Sequence, residues 1–91
     1  MLVVVSYDIS DNKRRERLRK ALLTFGNPIQ FSVFECDLTR RQIETMQRVI
    51  RGIITAGKDN VRIYQICAMC AENVEIFGGK ALAKTENVYV V

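Results

Sequence analysis

The chain has 91 residues, of which 48% are hydrophobic and 26% are charged, and its net charge is +4. This composition excludes a disordered tail, and the length suits one domain whose small core an oligomer would help to complete. The sequence has no apolar run near the ~20 residues of a membrane span and no basic, signal-like N-terminus. We therefore expect a cytoplasmic protein without a membrane partner.

The first predicted element is a buried strand over residues 2–9, which are rich in β-branched side chains. Alternation along a strand puts successive side chains on opposite faces, so one face carries Val3, Val5 and Tyr7. The other face carries Leu2, Val4, Ser6 and Asp8. The strand thus begins apolar and ends polar, with Asp8 at its C-terminal edge.

A helix is predicted next, from the three capping residues at 10–12 to about Phe25. Its buried stripe follows the i, i+3, i+4, i+7 pattern and consists of Leu18, Ala21, Leu22 and Phe25. Gly26 follows, and we expect it to end the helix in the left-handed conformation.

The segment 29–38 has strand propensity throughout, but polar Gln30 and Ser32 interrupt it. It predicts two strands, or one sharply kinked strand, with a turn near residues 30–33. A second helix begins at the capping-box pair Thr39 and Gln42 and runs to about Ala56. Its inner face consists of Ile43, Met46, Ile50 and Ile53.

The C-terminal third predicts a strand over residues 61–67, a short loop, an apolar patch at 74–77, a glycine break and a last strand at about 87–91. This order predicts an α+β, ferredoxin-like βαββαβ domain over residues 1–91, with an antiparallel sheet and both helices on one face. If 29–38 is one strand, a parallel β-α-β-α-β sheet is the alternative. The last strand extends the sheet edge or pairs with a partner chain.

A basic cluster occupies the front half of the first helix and holds six of the fourteen basic residues: Lys13, Arg14, Arg15, Arg17, Arg19 and Lys20. Cations at a helix N-terminus oppose the helix dipole, so their position calls for another reason. The cluster is either a solvated face or a phosphate-binding surface. Arg14 and Arg15 continue the inner stripe toward Asp8, and an ion pair with Asp8 is the simple interpretation of that placement.

Asp8 itself suits a cap or an ion-pair partner, and one carboxylate per chain is too little for metal-dependent phosphodiester cleavage. A two-fold dimer would present Asp8 twice across its axis, and the two side chains could then hold one ion.

The cysteines and the aromatic residues give weaker indications of function. Cys36, Cys67 and Cys70 are expected to be reduced, buried or loop thiols, since a structural zinc site needs four ligands and a redox CxxC motif needs a helix start. The absence of histidine excludes Ser-His-Asp and Cys-His catalysis. The aromatic residues suit a core or a sheet face, and base stacking requires an exposed one: Tyr7, Phe31, Phe34 and Tyr64.

Three segments together resemble the CRISPR-associated Cas2 family: residues 3–9 with the basic residues 13–15 behind them, residues 30–36, and residues 60–64. The resemblance implies a ferredoxin-like homodimer whose C-terminal strand joins the partner's sheet. It also implies partnership with the CRISPR integrase, in which the dimer bridges two integrase pairs and supports the duplex DNA to be inserted.

Family members have been described as metal-dependent endonucleases on RNA or duplex DNA, which implies a Mg²⁺ cofactor. Asp8 matches the family's metal-binding aspartate, and the positions tied to activity or nucleic-acid contact are Tyr7, Arg15, Arg17 and Phe34. Pro28 departs from the family, because many relatives have a basic residue there. The alternatives are a purely structural adaptor and a toxin-like endoribonuclease, which would cut single-stranded RNA without the integrase.

Overall fold

The structure is a computed structural model that describes residues 1–79 and 82. Its elements, in chain order, are β1 (Leu2–Asp8), α1 (Asn12–Leu22), β2 (Gly26–Gln30), β3 (Val33–Asp37), α2 (Arg40–Ile53), β4 (Asn60–Ile66) and α3 (Ala68–Glu72). The last strand predicted at about 87–91 lies outside the described residues. None of the described helices is long and apolar enough to cross a membrane.

The four strands form one sheet in the order β2-β3-β1-β4, and all three strand pairs are antiparallel. β1 is central, pairing with β3 over residues 2–6 and with β4 over residues 2–8. Both α1 and α2 lie on one face of the sheet. The predicted ferredoxin-like fold is therefore confirmed, and the parallel alternative is wrong because residues 26–37 form a hairpin.

The core lies between the sheet and the two helices, as the alternation along β1 predicts. Its buried side chains come from every one of those layers: Val3, Val5, Tyr7, Leu18, Leu22, Phe34, Cys36, Ile43, Met46 and Ile50. On the other face, Leu2 packs with Ala71 of α3 and with Leu82. This small cluster lies at the N-terminal end of β1, so the described residues leave the Asp8 end of that face without a covering helix.

The capping box predicted for α2 is present. The Thr39 hydroxyl accepts from the Gln42 N–H at 3.2 Å, and the Gln42 side chain accepts from the Thr39 N–H at 2.8 Å. The helix ends at Ile53 rather than near Ala56, and the chain then turns through Gly57, which has a φ of 84°.

The end of α1 corrects two predictions. The helix stops at Leu22 rather than near Phe25, and Gly26 is not a left-handed cap but the first residue of β2. A Cβ atom built at Gly26 would lie 2.3 Å from the Glu35 carbonyl oxygen and 2.5 Å from the Cys36 sulfur. Glycine is therefore needed here for the close approach of β2 to β3.

We expect Gly26→Ala to destabilise the protein by about 1–3 kcal/mol, because the added methyl overlaps a backbone oxygen that cannot move without breaking strand pairing. Thermal and urea unfolding would measure the loss. The matched control is Gly52→Ala, since Gly52 lies inside α2 with nothing within 4 Å of its missing Cβ. There, alanine should stabilise the protein by about 0.5–1 kcal/mol. Two changes of the same sign would contradict the steric role of Gly26.

Candidate nucleic-acid interface

Asp8 lies exposed at the C-terminal end of β1, opposite Asn60 of β4. Alternation along the strand directs its side chain away from the α1 and α2 layer, onto the same face as Val4 and Ser6. Within the described residues its carboxylate makes no hydrogen bond or salt bridge. The carboxylate is therefore open to an external cation, and the ion pair with Arg14 or Arg15 is not formed.

Arg14 pairs instead with Asp59, just before β4. The Arg14 Nε lies 2.8 Å from Asp59 Oδ2, and its Nη2 lies 3.1 Å from Oδ1. The Thr55 backbone N–H also donates to Asp59 Oδ2, at 2.7 Å, and the Asp59 side chain has no exposed surface. These contacts, with the Arg14 hydrogen bond first, hold the pKa of Asp59 below its usual value. Arg14 thus joins α1 to the loop that precedes β4.

The lowered pKa of Asp59 predicts how its contribution to stability depends on pH. A carboxyl with a folded-state pKa below its unfolded value stabilises the fold above the unfolded pKa of about 4, and this contribution is lost as pH falls through the folded pKa. Asp59→Asn should therefore lower the melting temperature at pH 7, and its difference from wild type should shrink below about pH 4. Melting curves at several pH values would test this.

Glu44→Gln is the control for that series, since Glu44 is an exposed carboxyl on α2. It should melt close to wild type throughout. A gap between Asp59→Asn and wild type that stays constant, or widens, in acid would contradict the charged pair.

Two other cations of α1 also have partners. Arg15 donates to the Ile9 carbonyl oxygen at 3.0 Å and to the Asn12 side-chain oxygen. Arg19 binds Glu16 through two hydrogen bonds of 3.0 and 3.2 Å. The Arg19 pair is exposed on both sides, and such pairs are weak enough to exchange for a ligand.

The other three basic residues of the cluster are exposed and form neither a hydrogen bond nor a salt bridge within the described part of the chain: Lys13, Arg17 and Lys20. Their i, i+4, i+7 spacing places them on one face of α1. We call this set the α1 stripe. The structure thus divides the predicted cluster into anchored arginines and a row of unengaged cations.

A groove of about 400 Å³ lies between α1 and the turn of the β2–β3 hairpin. Tyr7 and Phe34 line its inner part, with ring centroids 6.4 Å apart. Burial raises the pKa of Tyr7, while the charge of Arg19 and a hydrogen bond with the Ser32 side chain oppose that rise. We call this cavity the α1–hairpin groove, and it brings the predicted residues Tyr7, Arg15 and Phe34 together.

The same groove contains Arg19 of the basic cluster and Phe31, neither of which is among the positions that the family resemblance ties to activity or nucleic-acid contact. Phe31 is 87% exposed at the tip of the hairpin, beside Ser32, whose φ of 63° is in the left-handed region. The sequence signal for the exposure of Phe31 was the polar pair Gln30 and Ser32, because a turn at that point exposes the aromatic residue between them.

The family model described as CRISPR associated protein Cas2 matches residues 1–74 of this chain. The chain belongs to the Cas2 family. It is 32% identical to CRISPR-associated endoribonuclease Cas2 3 of Synechocystis, covering 99% of this chain and 98% of that protein. It is 38% identical to CRISPR-associated endonuclease Cas2 2 of Thermus thermophilus, covering 99% and 96%. The crystal structure of Streptococcus pyogenes Cas2 superposes with a TM-score of 0.75 at 29% identity, covering 86% of this chain and 100% of that chain.

Asp8 is the residue that the family resemblance implies as a metal ligand, and its surroundings can be compared with what Mg²⁺ requires. No group of three or more His, Cys, Asp or Glu side chains able to hold a metal occurs within residues 1–79 and 82. Magnesium keeps several waters and binds proteins through one or two carboxylates together with substrate phosphates. The exposed, unpaired Asp8 carboxylate fits that donor set if a second Asp8 or a phosphate completes it.

The cysteines of this Cas2-family chain differ from the prediction in one respect. Cys67 is the N-cap residue of α3 and Cys70 lies in its first turn, so the CxxC motif does begin a helix. The Cys67 side chain makes no cap hydrogen bond of normal geometry, yet the nearby Cys70 N–H, followed by the Cys70 thiol, lowers the Cys67 pKa. The same thiol contact raises the pKa of Cys70, and burial raises that of Cys36 to about 11.

These pKa directions predict an order of thiol reactivity. Because the thiolate is the reacting species, iodoacetamide at about pH 7.5 should label exposed Cys67 first, then Cys70, and buried Cys36 only after unfolding. Peptide mass spectrometry over a time course would measure the three rates. Faster labelling of Cys70 than of Cys67 would contradict the arrangement at the start of α3.

Proposed function

We propose that the protein is a homodimer that binds duplex nucleic acid with the CRISPR integrase during spacer acquisition, and that it is a Mg²⁺-dependent endonuclease. The observation that supports this most directly is the α1 stripe. Three exposed cations that make no hydrogen bond or salt bridge to any described residue lie in a row on one helix of a Cas2-family protein. Such a row can neutralise successive phosphates, and the counterions released on binding drive association.

The stripe also indicates which basic residues contact phosphates. Arg14 is held in its pair with Asp59 and is assigned to the stability of the fold. Arg15 donates to the Ile9 carbonyl and to the Asn12 side chain, so only its remaining N–H groups are available to a phosphate. Lys13 and Arg17 therefore remain as the strongest of the predicted phosphate contacts, with Lys20 added to them.

The proposed dimer is supported by the sheet face that the described residues leave open. Along β1 and β4 this face carries half-buried Val4 and Ser6, together with Tyr64, which lies opposite Val4 and is 48% exposed. At the sheet edges, β2 contains Pro28, which has no N–H to donate, and an irregular register between Pro28 and Gln30. β4 has a regular register over seven residues, so the β4 edge is better suited to a strand from a partner.

Asp8 is the residue that would hold Mg²⁺ in this proposal, paired with the same residue of the second subunit. When bound, Mg²⁺ makes a coordinated water more acidic and offsets the charge that develops on a phosphate. The protein's own contribution is to place the carboxylate at the end of the central strand, where no cation forms an ion pair with it among the described residues. The α1 stripe and Arg15 would meanwhile hold the phosphate backbone.

The names of the relatives support a nuclease, since the Synechocystis protein is called an endoribonuclease and the Thermus thermophilus protein an endonuclease. A structural adaptor is the second candidate. It is favoured because each protomer would contribute one carboxylate, that of Asp8, to the metal site, and because the described residues contain no larger acidic cluster. A toxin-like ribonuclease would need neither the integrase nor a duplex.

Cleavage and binding assays separate these functions. Labelled duplex DNA and single-stranded RNA are incubated with the protein in Mg²⁺ or in chelator, and binding is followed by filter retention, with and without the integrase. Mg²⁺-dependent cutting supports the endonuclease, and the preferred substrate names its class. Duplex binding without any cutting supports the adaptor. RNA cleavage by a protein that does not bind the integrase supports the ribonuclease.

A further inference from the structure

We infer that the α1–hairpin groove binds one unpaired nucleotide, with its base stacked on Phe31 and its phosphate held by Arg15 and Arg19. This rests on the proposed function and narrows its substrate class to duplexes that carry an unpaired base, in an overhang, a bulge or a frayed end.

The size and shape of the groove suit such a ligand. Its volume of about 400 Å³ is at the lower end of small-molecule sites, which is the range of a single nucleotide. It is open on one side, between the first helix and the hairpin tip. Tyr7 and Phe34 form a rigid aromatic base to the groove because both are almost fully buried.

Phe31 supplies the stacking surface. Exposed apolar side chains are common and carry no meaning alone, and Phe77 is equally exposed at 91%. The two differ in their surroundings. Phe31 borders a groove that contains two guanidinium groups, whereas the cavity lined by Phe77 contains two carboxylates, of Glu35 and Glu75, and no basic side chain. Of these two phenylalanine sites, the Phe31 site is the one that combines an aromatic face with positive charge, which is how proteins hold unstacked bases.

Polar groups around the groove can contact the base edge and the phosphate. The hydroxyl-bearing side chains of Tyr7 and Ser32 line the groove, and the Gln30 side chain, which also lines it, carries both a donor and an acceptor. Glu16 opposes an anion here, but it is tied to Arg19 in an exposed pair that a phosphate can replace.

The groove also continues the α1 stripe. Glu16 borders both the groove and the patch formed by Lys13, Arg17 and Lys20, so the two lie on adjoining faces of the same helix. A backbone that follows the stripe can therefore turn one nucleotide into the groove without leaving the protein surface.

The test uses two DNA duplexes of equal length, one blunt and one with a short 3′ overhang, each carrying 2-aminopurine at its terminal base. We expect wild type to bind the overhang duplex about tenfold more tightly than the blunt one, since one base–aromatic stack contributes roughly this factor. The 2-aminopurine fluorescence of the overhang should fall on binding as the base stacks.

Three variants decide the assignment. Phe31→Ala should bring the affinity ratio of the two duplexes to about 1 and abolish the quenching, while Phe31→Trp should keep both. Phe77→Ala, the matched exposed phenylalanine, should behave as wild type. A wild-type ratio near 1, or a ratio that survives in Phe31→Ala, would overturn the groove inference. If blunt duplex is bound normally in that case, the proposed function stands; if neither duplex is bound, both proposals fail.

Discussion

Asp8→Asn is expected to abolish Mg²⁺-dependent cleavage, lowering its rate by at least about 100-fold, because a metal that neutralises developing charge contributes several kcal/mol to the transition state. Asparagine keeps the shape of the side chain but removes the charge that would hold the ion. Duplex binding should persist within about twofold, since the proposed phosphate contacts are those of the α1 stripe, which lies on another part of the molecule. Cleavage and filter binding on the same preparations measure both effects.

Asp37→Asn is the matched control for this variant. Asp37 is also an exposed aspartate at the end of a strand, but in the antiparallel sheet it lies at the end opposite Asp8, beside the N-terminal amine. The Asp37→Asn protein should cleave at the wild-type rate. Cutting that survives in Asp8→Asn and still needs Mg²⁺ would show that the metal is held elsewhere. Cutting that is absent in every protein would leave the adaptor function.

The combined substitution Lys13→Ala, Arg17→Ala and Lys20→Ala should weaken binding to duplex DNA at least tenfold at moderate salt. Each lost phosphate contact removes about 0.9 from the slope of log K against log salt concentration, so the slope should fall by about 2.7 per protomer. Affinities measured over a range of salt concentrations give this slope directly.

The charge-matched control removes three exposed arginines from α2: Arg40, Arg41 and Arg51. It lowers the net charge by the same amount on the other helix, so it separates a local contact from a general electrostatic effect. We expect a small loss of affinity that fades as salt rises. Equal slopes for the two triple variants would show that α1 is not the phosphate-binding surface.

The sequence predicted the main features of the fold because local patterns determined them. Alternation along residues 2–8 indicated which face of β1 enters the core, and the Thr39–Gln42 pair identified the start of α2. The end of α1 was less predictable, since Leu23 and Phe25 continue an apolar run while the chain has already left the helix. The need for glycine at Gly26 comes from a neighbouring strand, and sequence spacing does not reveal such an approach.

The sequence predicted which residues belong to the candidate site, but it did not predict their hydrogen-bond and ion-pair partners. The partner of Arg14 is Asp59, 45 residues away in the chain, and only the packing of α1 against the loop before β4 brings the two together. Which cations remain available for phosphates depends on such distant pairings. The short helix α3 was missed because Cys67 is not a preferred N-cap residue and its five residues are too few to show a helical period.

Tyr7 and Asp8 are neighbours in the chain, yet the sheet lies between their side chains, one turned toward α1 and the other toward the open face. In the proposed function, mutations can therefore change nucleic-acid binding and cleavage separately. Under the proposed function, a descendant of this protein that replaces Asp8 would keep the groove, the helix and the hairpin proposed to hold nucleic acid, and would change from a nuclease to a structural adaptor through a single codon. The reverse step is equally short, so both kinds of protein can arise within one lineage without any change of fold.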